Sequence, residues 1–166
     1  MRYGASAAVA ALRARVPVHV ARPGPGAEAS APHKKAAPSP KVQAQLNKLP
    51  AAVRATVEGE TRNATIKDVS SEKENGKTVY ELESLVNGRT RDLMIDAAGK
   101  VYSVEEQLDV DSAPAGVKAA LEARGKVVAL ESVVDNGRHH YEGQVRTTAG
   151  KTVSMDLDSD GKPVKK

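Results

Sequence analysis

The chain contains no cysteine, no phenylalanine and no tryptophan. Without cysteine it can form no disulfide, bind no metal through thiolate and attack no substrate through sulfur. Aromatic residues are 2% of the chain against 40% hydrophobic, so any core must be built from Val, Leu, Ile, Ala and Met. The same scarcity removes the stacking platforms on which single-stranded nucleic acids bind. No run approaches the ~18–20 apolar residues of a membrane-spanning helix. There is no phosphate-cradling glycine loop and no G-x-S-x-G nucleophile turn. What remains is a chain of 166 residues, enough for one ordinary domain or two very small ones.

The net charge of +4 is unevenly spread. Residues 1–40 hold six basic residues (Arg2, Arg13, Arg15, Arg22, Lys34 and Lys35) and one acid, Glu28, while the remainder carries 19 bases and 20 acids. The basic character therefore belongs to the N-terminal segment, and the near-neutral body is a poor nucleic-acid binder. The segment "ARPGPGAEASAPHKKAAPSP" has the composition of a disordered linker. Upstream, Arg2 precedes an apolar run from Ala5 to Leu12, and Ala29-Ser30-Ala31 has the small-x-small form of a cleavage site. These features predict a secretory signal and a secreted, periplasmic or envelope location. Arg13, Arg15 and Pro32 fit that reading poorly, and a basic tail on a cytoplasmic protein is its rival.

The body reads as an internal repeat. "LPAAVRATVE" (49–58) aligns with "APAGVKAALE" (113–122), "NGKTVYE" (75–81) with "NGRHHYE" (136–142), and "GRTRDLMIDAAGK" (88–100) with "GKTVSMDLDSDGK" (150–162), at offsets of 61 to 64 residues. Each copy opens with a helical stretch behind a proline, which costs nothing at a helix start. Ser112 is a candidate cap for the second helix. Alternating strands follow. Asn75-Gly76 and Asn87-Gly88 are strong hairpin signals, because both turn residues accept positive φ. Tyr80, Leu82 and Val86 share one strand face, with Glu81 and Glu83 on the other. The expected fold class is α+β: a tandem repeat of a short helix followed by an antiparallel meander of three to four strands, with the helices packed on one sheet face. The expected divisions are a signal-like and linker segment at 1–40, a first repeat at 41–111, and a second repeat at 112–166 whose fourth strand is truncated to the stub "KPVKK".

The order "LPAAV", "NGKTVYELE", "NG", "LMIDAAGKV" resembles the PepSY-like domains, also described as β-lactamase-inhibitor-like, and the second copy resembles them more loosely. The resemblance covers about residues 46–166. It implies an exported or envelope protein that binds, and in some cases inhibits, another protein such as a secreted hydrolase, with no catalytic residues to transfer.

Several residue groups invite chemistry. "DLDSDG" places Asp156, Asp158, Asp160 and Gly161 as in the start of a calcium loop, but the twelfth ligand position lies past residue 166 and no helix flanks it. The aligned stretch keeps only Asp96 and Gly99, the two residues that a hairpin turn needs, so a turn is expected and these Asp residues are a weak metal candidate. His139 and His140 are strand neighbours on opposite faces and cannot readily share an ion. Paired carboxylates occur at Glu81/Glu83 and Glu105/Glu106; the first pair shares one strand face, a spacing open to acid–base work, but on a wet strand face such a pair is commonly solubilising. The Tyr80-Glu81 and Tyr141-Glu142 pairs are the most closely shared between copies. They read either as core tyrosine with surface glutamate or as the rim of a partner-binding groove. The expectation is a non-enzymatic protein-binding module, with no cofactor, no nucleic acid and no membrane span. Its alternative is an envelope sensor or scavenger for a small ligand or metal ion.

Overall fold

The computed structural model describes residues 37–164; the signal-like features and most of the 1–40 segment, like Lys165 and Lys166, lie outside the described residues. Helix α1 (Pro40–Leu46) opens behind Ser39, whose hydroxyl accepts from the Val42 amide at 3.3 Å. Helix α2 (Ala51–Glu60) follows Pro50. Four strands come next: β1 (Ala64–Glu74), β2 (Lys77–Val86), β3 (Arg89–Asp96) and β4 (Val101–Gln107). A 3-10 turn at Val110–Ser112 leads to helix α3 (Ala115–Glu122), then β5 (Lys126–Asp135), β6 (Arg138–Arg146) and β7 (Thr152–Leu157). Ser112 ends the 3-10 turn and does not cap α3; Pro114 holds the cap position, without a side-chain hydrogen bond.

All seven strands belong to one antiparallel sheet in the order β1-β2-β3-β4-β5-β6-β7. This overturns the expectation of two tandem helix-and-meander units. The reason is the join. β4, read as the last strand of a closed first unit, pairs with β5 from Ser103 opposite Asp135 to Gln107 opposite Glu131. An unpaired β4 would present a row of bare N–H and C=O groups, and the join satisfies them. The expected stub "KPVKK" supplies one isolated bridge, Pro163 to Leu157.

The turns form where the sequence marks them. Asn87-Gly88 and Asn136-Gly137 both carry positive φ at each residue (52° and 82°, 48° and 79°), which is the type I′ geometry that matches strand twist. A two-residue turn fixes register, so Glu83 meets Asp92 in one hairpin and Glu131 meets Glu142 in the other.

The helices cover one face in two hydrophobic clusters. Val42, Leu49, Val53 and Val57 pack on Ile66, Val69, Leu82, Leu93 and Ile95. Val117 and Leu121 pack on Leu130, Tyr141, Val145 and Leu157. Val53 is fully buried, and each such valine contributes roughly 1.5–3 kcal/mol relative to exposure.

The turn at 158–162 has a structural task. The Asp158 carboxylate accepts the Asp160 and Lys162 amides, both at 2.9 Å, and Gly161 adopts φ 81°. Asp96 does the same for Ala98 and Lys100. A Cβ on Gly161 would lie 2.1 Å from the Gly116 carbonyl oxygen, at the start of α3, whereas one on Gly88 would meet open space. Gly161→Val should therefore cost at least about 2 kcal/mol in urea unfolding, from positive φ plus backbone overlap, and Gly88→Val only about 1–2 kcal/mol. Equal costs at the two sites would contradict this packing.

Candidate functional site

The pleat divides the expected site residues. Leu82 and Leu93 belong to the α2 cluster, so Tyr80, two residues from Leu82, points to the helix side, as does Tyr141 in the α3 cluster. Glu81 and Glu142, each one residue on, point to the opposite face. Tyr80 lies on β2 and Tyr141 on β6, with three strands between them. The four residues therefore do not line a single groove.

The helix-free face instead gathers carboxylates in rows. Glu83, Asp92 and Glu105 stand directly opposite one another across β2, β3 and β4. Glu131, Glu142 and Asp156 do so across β5, β6 and β7. Val133 continues the first row from Glu105, and His140 follows it. His140 Nε2 lies 3.3 Å from a Glu142 oxygen. Beside the first row, Ser70 Oγ donates to Glu81 at 3.4 Å. Like charges placed directly opposite on a sheet destabilise it by tenths of a kcal/mol or more per pair. This face is not simply a wet stripe either: Asp92 is only 8% exposed, and Val79, Val133 and Ser103 are buried. At one corner the Tyr102 hydroxyl donates to Glu74 at 2.8 Å, and burial, followed by that hydrogen bond, pushes the phenol well above its ordinary value.

At the β1 edge Asp68, opposite Glu83, is taken up by α1. It accepts from Lys41 Nζ at 2.9 Å and Gln45 Nε2 at 3.0 Å, and the Lys41 hydrogen bond holds its carboxyl below the usual range. On the helix side the acids are matched by bases. Arg91 pairs with Glu60 and Glu106, Arg89 with Asp109, and Lys118 with Asp111.

The remaining candidates separate. Asp158 is occupied by its turn, and Asp160 pairs with Lys162 at 3.0 Å. Among the described residues no group of three or more His, Asp or Glu side chains is placed to hold a cation. His139, on the helix side, lies 2.8 Å from Ser132 Oγ across the β5–β6 hairpin, a pair the sequence reading missed because it joins two strands. No described side chain hydrogen-bonds the other ring nitrogen of His139 to orient it, as a nucleophile–base pair requires. The acidic rows were missed too, though the signal was present. Glu83 and Asp92 are the fourth residues outward from Asn87-Gly88, and Glu131 and Glu142 the fifth outward from Asn136-Gly137. A two-residue hairpin makes such residues opposite neighbours.

Solved structures share this fold. A protein from Bacteroides eggerthii DSM 20697, provisionally assigned to the periplasm, superposes with TM-score 0.58 at 14% identity over 70% of this chain and 86% of its own. A DUF2874 family protein from Bacteroides uniformis ATCC 8492 gives TM-score 0.57 at 16% identity, with the same shares of 70% and 86%. A BLIP-like protein from Bacteroides fragilis NCTC 9343 gives 0.54 at 16% identity over 70% of this chain and 84% of its own. The chain thus has a BLIP-like fold. No family model matches the chain, and no curated protein does.

If the first carboxylate row is a strained feature, relieving it should stabilise the fold. Glu83→Gln removes one charge from between Asp68 and Asp92 and keeps the side-chain volume. It should raise unfolding stability by about 0.2–1 kcal/mol at neutral pH and low salt. A loss of stability in urea titration would show that the row supports the fold.

Proposed function

We propose that the chain is a non-enzymatic protein-binding module of the cell envelope, and that it binds through the helix-free face of its sheet. The observation that carries this reading is the pair of carboxylate rows, Glu83-Asp92-Glu105 and Glu131-Glu142-Asp156, set across the strands on one face. A surface that concentrates charge of one sign is complemented by a partner of the opposite sign. The partner is accordingly a polypeptide segment rich in Lys and Arg, laid across the strands. The BLIP-like and periplasm-assigned structures support a binding role and an envelope location. Membership of the PepSY-like group, and inhibition of a secreted hydrolase, are the finer forms of the same proposal. Among the described residues no helix is long and apolar enough to cross a membrane.

The test is capture from the host's own envelope fraction. Wild-type protein should retain a partner at low ionic strength and release it near 0.5 M salt, where screening falls to a few ångströms (roughly 4–5 Å). A variant with Glu83, Glu105 and Glu142 all changed to Lys should fail to retain that partner. Capture that survives both the salt and the charge reversal would overturn the reading.

A further inference from the structure

The line that begins with Glu83, Asp92 and Glu105 runs on past its acids. Val133 on β5 stands opposite Glu105, and His140 on β6 stands opposite Val133. Two residues further along β6, Glu142 sits at the centre of the second row, between Glu131 and Asp156. His140 therefore lies where the two rows meet. Its Nε2 is 3.3 Å from a Glu142 oxygen. An ionised carboxylate only accepts hydrogen bonds, so the neutral imidazole carries its proton on Nε2 and donates it to Glu142.

The groups around His140 come from four strands. On β5 the buried Val133 is directly opposite, with Glu131 and Asp135 on the two diagonals. Along β6 the neighbours on the same face are Arg138, itself opposite Asp135, and Glu142. On β7 Asp156 faces Glu142, and just beyond that strand the Asp158 carboxylate is bound to the Asp160 and Lys162 amides. On β4 Glu105 lies behind Val133. The His140 side chain is 17% exposed and that of Glu142 29%. A charge gained at such a half-buried place is screened less than one on open surface.

Histidine is the side chain suited to gain a charge between about pH 5 and 8. On protonation His140 keeps its hydrogen bond to Glu142 and places a positive charge between the rows. Glu142 is then paired within the protein, and an approaching cation meets a charge of its own sign. We propose that His140 makes the helix-free face pH-sensitive: with the imidazole neutral the face receives a segment rich in Lys and Arg, and with the imidazole protonated it releases that segment. The inference rests on the binding role given above to this face and adds its regulation. His139, next along the strand, faces the helix side and takes no part.

The experiment titrates the full chain with octalysine by calorimetry, at about pH 7.5 and again at about pH 6, in roughly 20 mM salt throughout. The wild type should bind at the higher pH and weaken about fivefold at the lower, the size of one ion pair lost at a partly screened surface. His140→Gln retains an N–H donor for Glu142 and cannot gain a charge, so its affinity should change by less than about twofold over the same interval. His139→Gln should weaken on acidification as the wild type does. Equal wild-type affinity at the two pH values, or a loss that His140→Gln shows in full, would overturn the pH sensitivity while leaving the binding face intact. Failure of octalysine to bind at the higher pH would overturn the binding face, and the regulation with it.

Discussion

The pairing of β4 with β5 is the interaction on which the rest of the molecule depends. From Ser103–Asp135 to Gln107–Glu131 it joins two meanders that could each have ended in a bare edge. Because β4 and β5 are antiparallel neighbours, the side-chain alternation of one half passes into the other without a break. Val104 meets Val134 on the helix side, and Glu105 meets Val133 on the other. Both groups of helices therefore cover the same face, and the opposite face is continuous from β1 to β7.

The two faces solve different electrostatic problems. On the helix side several charges near the sheet have a close partner of opposite sign, as Arg91 has in Glu60 and Glu106. On the other side the carboxylates of neighbouring strands stand opposite one another.

Much of this was legible in the sequence, and the limits have physical causes. The strand segments follow from alternation and from the Asn-Gly turns, whose chemistry is local. The role of "DLDSDG" as a turn follows from Asp158 and Gly161, which do at that turn what Asp96 and Gly99 do at theirs. The grouping of strands was not legible. β4 and β5 are separated by the 3-10 turn and α3, and no local signal says whether two edges will meet or stay apart. Similar stretches on either side of α3 suggested two closed units, whereas edge satisfaction favours one sheet. The candidate site was half visible. Tyr80-Glu81 and Tyr141-Glu142 were noticed as pairs, but adjacent strand residues face opposite ways, so each pair is divided between two surfaces. Glu81 and Glu142 belong with the helix-free face, and Tyr80 and Tyr141 with the helix-covered one.

Native-state hydrogen exchange tests the single-sheet account most directly. If β4–β5 is an ordinary interior pairing, the hydrogen-bonded amides of Ser103–Gln107 and Glu131–Asp135 should exchange as slowly as those of the β2–β3 and β5–β6 hairpins. They should also open in the same cooperative event as those hairpins. Fast exchange at the join, with both hairpins protected and opening at separate denaturant concentrations, would contradict one continuous sheet and with it the shared acidic face.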